Sequence, residues 1–252
     1  MVTINWKKTA LVLTDIVLGG YLILAVTAFN HPDDLTDICG EVRIDIKDDV
    51  VKGFLNADEI KLQLQQAKLY PLGYRMDSID TREIEESLRQ SPFVETAECY
   101  KTQTGHVNIT LTQRLPVMRV KADNGDDYYL DSHGAIMPNT RYVSNLAIAT
   151  GHVQRKYAQQ VLTRVGNLLL QNDVWRSQVE QLNVLSDGSL EMIPRVGNHV
   201  VYLGQPVNLG KKLSRLDKFY KYGLSQAGWN KYSYINMEFD NQIICKRRSN
   251  KL

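Results

Sequence analysis

From Ala10 to Phe29 the chain reads ALVLTDIVLGGYLILAVTAF. That is about the 20 residues a helix needs to cross a hydrocarbon core. Lys7 and Lys8 precede the stretch, and His31, Pro32, Asp33 and Asp34 follow it. By the positive-inside rule the short N-terminus stays in the cytoplasm and the rest is exported. Asp15 is the one charge inside the stretch. It reads either as an acid near the interface or as a polar contact to another membrane helix. Val26-Thr27-Ala28 offers the small residues of a signal-peptidase site, but the apolar stretch is long for a cleavable signal, so a retained anchor is predicted.

After a polar link at Asp33 to Asp37, Val42 to Lys47 alternates apolar and polar, the period of a half-buried strand. Asn56 and Glu59 have the spacing of a capping box ahead of Ile60, Leu64 and Ala67, which share one helical face. Asp80 and Glu83 repeat the box, with Ile79 and Ile84 placed to staple it. Ser91-Pro92 stops this second helix, because the residue before proline avoids the α region. Strands at Phe93 to Lys101 and Val107 to Leu111 follow, with Gly105 at the turn. Strand, helix, helix, strand, strand makes a complete small α+β domain.

Beyond Pro116 short strands dominate, at Val117 to Lys121, Tyr128 to Asp131, Ala135 to Met137, Val179 to Leu185, Leu190 to Ile193 and His199 to Leu203. Two helices interrupt them. One covers about Gln154 to Gln171, with Tyr157, Val161, Leu162, Val165, Leu168 and Leu169 on one side. The other covers about Leu209 to Tyr222, with a stripe of Leu209, Leu213, Leu216 and Tyr220. Its Lys211, Lys212, Arg215, Lys218 and Lys221 read as a solvated face. Tyr232 to Arg247 is strand-like again, and the basic tail from Lys246 is expected to fray.

Charge and chemistry narrow the function by exclusion. Thirty basic and 28 acidic residues give a net charge of +2, with no basic field for nucleic acid. No metal, cofactor or small-molecule substrate is expected. The five histidines lack metal-ligand spacing, and no nucleophile elbow or phosphate loop occurs. Asp131-Ser132-His133 holds the residue types of a hydrolase triad, but adjacency makes it a hairpin turn ending in Gly134. Cys39, Cys99 and Cys245 are too scattered for a disulfide framework and read as buried thiols, a Cys39–Cys99 bridge being the alternative. With no catalytic constellation, a membrane-tethered interaction protein is the better class.

An anchor followed by strand–helix–helix–strand–strand resembles a POTRA domain, a protein-interaction module found beside membranes. The order anchor, POTRA, β domain resembles the bacterial cell-division FtsQ/DivIB family. Ser91-Pro92-Phe93-Val94 resembles the family's helix-to-strand junction, and Gln113-Arg114-Leu115-Pro116-Val117 its segment between domains. Tyr129 to Gly134 resembles its Leu-Val-Asp-x-x-Gly hairpin, and Val201-Tyr202-Leu203-Gly204 with Lys212 to Leu216 its Leu-Gly and Lys-Leu-x-x-Leu pieces. Tyr234 to Phe239 resembles its late strand, although Gln113, Asn236 and Glu238 replace the family's Glu, Asp and Arg.

The resemblance implies an α+β chain with a cytoplasmic tail at 1–8, a transmembrane helix at 9–30, a POTRA domain at 36–114, a mostly antiparallel β domain with flanking helices at 115–247, and a flexible tail at 248–252. It implies a non-enzymatic divisome scaffold in the inner membrane, with its bulk in the periplasm and enriched at the septum. Such a scaffold recruits the peptidoglycan synthesis machinery. The implied partners are bitopic proteins of the FtsB and FtsL type, docking by strand addition at the C-terminal edge, and other divisome components at the POTRA domain. Tyr234, Met237, Phe239, Ile243 and Ile244 are the expected partner-binding residues. A POTRA-bearing adaptor in envelope secretion or assembly, and a tethered periplasmic hydrolase, are the competing functions.

Overall fold

The computed structural model describes residues 6–29, 38–47, 55–139 and 146–249. The expected link at 33–37, the residues flanking the apolar stretch on that side, the first five residues and the last three lie outside them. Trp6–Phe29 forms one unbroken helix, α1. Its Ala10–Thr27 portion has a mean hydropathy of 2.1 and exposed side chains, so length and composition suit a membrane crossing. The hydroxyls of Thr14 and Thr27 donate back to the carbonyls of Ala10 and Ile23 within the helix. Each is thereby satisfied without water.

A three-stranded sheet follows. Its strands β1 (Glu41–Lys47), β2 (Val94–Lys101) and β3 (His106–Gln113) lie in the order β1-β3-β2, with α2 (Ala57–Gln66) and α3 (Thr81–Arg89) between β1 and β2 in sequence. The Asp80 carboxylate accepts from the Arg82 and Glu83 amides at 2.9 and 3.2 Å, capping α3. Ile79 and Ile84 are both buried, as a staple requires. Ile60, Leu64, Leu88, Ile109 and Leu111 are buried with them. Ala67 does not join that face. Helix α2 stops at Gln66 and Lys68 takes a left-handed φ of 59°, which turns Ala67 out to solvent.

The second sheet has nine strands. They are β4 (Pro116–Ala122), β5 (Asp127–Asp131), β6 (Ile136–Pro138), β7 (Ile148–Gly151), β8 (Val179–Val184), β9 (Leu190–Pro194), β10 (Val200–Gly204), β11 (Tyr232–Asn236) and β12 (Ile244–Arg247), in the order β12-β11-β10-β9-β8-β7-β4-β5-β6. Five of its eight pairings are antiparallel, and β4–β7, β7–β8 and β10–β11 are parallel. Helical crossovers make two of the parallel pairings possible. The first runs through α4 (Arg155–Tyr157), a π-helical segment Ala158–Leu162, α5 (Thr163–Leu170) and α6 (Asp173–Gln178). The second runs through α7 (Leu209–Lys218), a π-helical segment Phe219–Leu224 and α8 (Ser225–Ala227).

Alternation along the strands sends Leu182, Val184, Leu190, Met192, Val201, Leu203 and Ile235 into one core with Leu162, Val165, Leu169, Leu213 and Leu216 of the helices. Two elements went unanticipated. Strand β7 is four residues long and carries no alternation, yet it pairs on both sides and buries Ala149 completely. Helix α6 starts at Asn172, whose side chain accepts from the Val174 and Trp175 amides. All three cysteines are free; Cys39 and Cys99 are buried, whereas Cys245 on β12 is only half-buried.

An aromatic group closes the core near the chain's end. The His199 ring shares a 2.7 Å hydrogen bond with the Tyr220 hydroxyl and meets that ring edge-on, and Tyr220 also packs against Trp175 and Trp229. The other imidazole nitrogen has no hydrogen-bond partner among the described residues. Burial, helped by the Arg248 charge, lowers the pKa of His199 below its ordinary value. The folded state therefore takes up this proton less readily than the unfolded chain. The stability involved is fully present above the unfolded value of about 6.5 and drains away as pH falls below it toward the folded value. Thermal melts between pH 7.5 and 5.5 are predicted to fall less for His199→Gln than for the unmodified chain.

Candidate partner-binding edge

The nine-stranded sheet is open, so it has two ends. At one end β6 is three residues long and finishes in Pro138, a short, blunted edge. At the other end β12 carries no proline and, among the described residues, pairs with β11 alone. Its second row of backbone groups points outward, a template for an added strand.

The end of β10 is built to hold this hairpin. Gly204 takes φ 68°, a left-handed backbone that glycine adopts without strain. The Lys212 ammonium, buried under α7, donates to the carbonyls of Leu203 and Gln205 at 2.7 and 3.0 Å. Burial lowers its pKa, while Glu238 and Asp240 pull it back up. The Met237 amide donates to Tyr202, carrying the ladder one step past β11. There the Asn236 side chain accepts from the Glu238 amide at 2.8 Å and turns the chain away. Arg215 then reaches the carbonyls of Met237 and Asp240 and lies 3.7 Å from the Asp240 carboxylate. The basic side of α7 is thus a clamp on the β10–β12 connections rather than a purely solvated face; Lys212 and Arg215 are its working members.

The five expected contact residues fall on three elements: β11, the loop after it and β12. Ile244 opens β12 and is 48% exposed. Phe239 projects from the loop before it and is 46% exposed. Ile243 is half-buried and packs against the core. Tyr234 lies on β11, one strand in from the edge, where its ring stacks on Tyr202 with centroids 6.3 Å apart. Met237 is fully buried, so it supports the strand from behind and offers no surface to a partner. The stretch Tyr234 to Ile244 is not one strand, because 237–243 forms a loop. The edge itself is Ile244, Cys245, Lys246 and Arg247. Lys246 and Arg247, expected in a basic tail, pair with Tyr234 and Tyr232. Arg248 is also held, by hydrogen bonds to the carbonyls of Lys231 and Asn198.

An open groove of about 540 Å³ lies beside this edge, lined by Arg215, Lys218, Phe219, Tyr222, Gln242 and Ile243 among others. Apolar rings and cationic side chains share its walls, with Tyr222 71% exposed. The candidate hydrolase residues are engaged in other contacts. Asp131 is consumed structurally, accepting from the His133 and Ala135 amides while pairing with Arg114 at 2.6 Å. His133 sits on that turn, His152 lies 3.6 Å from Asp123 on the surface, and His199 is buried beside Tyr220, so the three do not converge. Among the described residues no three His, Cys, Asp or Glu side chains gather as metal ligands.

A helix fit for a membrane, a β-α-α-β-β module and a larger sheet with one open edge define a class: a single-pass membrane protein with a POTRA-like domain. Comparison with known proteins agrees. Residues 37–112 match the POTRA-like domain, and residues 115–246 match the FtsQ/DivIB C-terminal related family. A curated relative, the cell division protein FtsQ of Rhodothermus marinus, is 24% identical over 202 residues, covering 74% of this chain and 72% of that protein. The chain belongs to the FtsQ/DivIB family, whose members act in bacterial cell division without catalysing a reaction.

Two outcomes test the clamp. Lys212→Met leaves the buried Leu203 carbonyl and the Gln205 carbonyl without their donor and is expected to cost about 1–3 kcal/mol in denaturant melts. Arg215→Ala frees the loop alone, so limited proteolysis should cut within 237–243 faster while the melting midpoint barely moves.

Proposed function

We propose that this protein is a non-enzymatic divisome scaffold whose outermost strand receives an extended segment of a bitopic coiled-coil partner of the FtsB and FtsL type. The observation that carries the reading is the contrast between the two sheet ends: β6 is blunted by its length and Pro138, whereas β12 is open and proline-free. Main-chain bonds to β12 would supply affinity, and side chains beside it would supply selection. Ile244 and Phe239 are the apolar contacts in this reading, and Lys246 and Arg247 favour an acidic partner segment. Tyr234, Met237 and Ile243 shape the edge from within.

The same reading sets the N-terminus in the cytoplasm, residues 36–114 as POTRA domain and 115–247 as partner-binding β domain on the periplasmic side of the inner membrane, concentrated at the septum. By holding the coiled-coil partner there, the chain helps recruit the peptidoglycan synthesis machinery. The POTRA domain meets other division components.

Cys245→Pro and Lys246→Pro form a bracketing pair, because neighbouring amides on a strand point to opposite sides. The variant whose lost amide faced outward should fold normally and lose pull-down of the coiled-coil partner. Full binding by both folded variants would sink the edge reading. For the POTRA domain, a fluorescent fusion lacking Glu41 to Thr112 should miss the division site; normal midcell bands would count against that role.

A further inference from the structure

Asp15 is the one charged residue within the Ala10–Thr27 span of the helix. At 1.5 Å per residue it lies about 7 Å inside the Ala10–Thr27 span and only about 5 Å from its midpoint. That is deeper than an interfacial position. Unlike lysine or arginine, aspartate is too short to carry its charge back to the headgroups. Thr14, its neighbour, donates to the carbonyl of Ala10, and nothing among the described residues pairs with Asp15. A carboxyl at this depth is costly unless another group meets it.

The helix shows where that group would approach. Gly19, Leu22 and Val26 follow Asp15 at helical spacing and share its face. Leu13, Val17, Gly20 and Leu24 form the opposite face, which carries no polar side chain. We propose that the Asp15 face docks a second, different membrane helix presenting a lysine or arginine side chain at the depth of Asp15. Charge selects this occupant. A second copy of α1 on the same face would bring two carboxylates together, one of which would have to take up a proton, whereas a cation satisfies the carboxylate and is itself neutralised. The inference rests on α1 spanning the membrane, and it adds a partner contact independent of the β12 edge.

The test uses the full chain in vesicles of phosphatidylethanolamine and phosphatidylglycerol, with leucine-rich spanning peptides as probes. One peptide carries a single lysine at the matching depth, one a single aspartate, and one only leucine. Energy transfer should show the lysine peptide binding roughly fivefold or more tighter than the leucine peptide, a preference that Asp15→Leu removes. Equal binding of the lysine and leucine peptides overturns the proposal, as does equal binding of the aspartate peptide. Alkali washing separates the two layers of the argument: a chain that washes off refutes the spanning reading and the proposal together, while one that stays but binds indifferently refutes the proposal alone. In cells, a photo-crosslinker at Leu22 should yield an adduct with a helix bearing lysine or arginine in its apolar span, and one at Leu24 should not. An adduct with a second copy, or none at Leu22, overturns it.

Discussion

An open β-sheet must leave half the backbone groups of its two outer strands unpaired, and the rest of this molecule follows from how it treats those two rows. One end is cut to three residues and closed with Pro138. The other is kept open, and unusual care goes into holding it. Lys212 is buried to bind two carbonyls at the end of β10, and Arg215 ties down the loop between β11 and β12. Burying an ammonium is costly unless its donors are used. Here that cost secures the strand that a partner would read.

The parallel pairing of β10 with β11 makes the arrangement possible. It forces the chain through α7, which brings cationic side chains directly behind the final hairpin and leaves β12 outermost. The aromatic group around Tyr220 closes the core beneath the same elements. Arg248 then reaches back to Lys231 and Asn198, so the chain's last described turn is fixed rather than frayed. Edge, clamp and core are one construction, and none of them needs a catalytic group.

Much of the fold could be read from periodicity and capping. Asp80 with Ile79 and Ile84 marked α3, and the Leu209, Leu213, Leu216 and Tyr220 stripe marked α7, because local bonds and one buried face determine both. Strand β7 escaped because a central strand paired on both sides needs no alternation, and Ala149 is too small to announce burial. The strand character of the last segment was legible, but its division into two strands and a loop was not. Residues 232 to 247 alternate well enough to suggest one strand, but the Asn236 turn depends on a side chain meeting the backbone two residues on. Met237 is as apolar as Ile244, and only the three-dimensional register separates a core residue from an edge residue.

The account stands or falls on where a coiled-coil division partner touches the chain. Amide hydrogen exchange on the full-length protein, free and saturated with such a partner, measures this directly. Outward-facing amides of Ile244 to Arg247 should exchange fast in the free protein and become strongly protected in the complex. Unchanged exchange across β12, with protection appearing elsewhere, would contradict it.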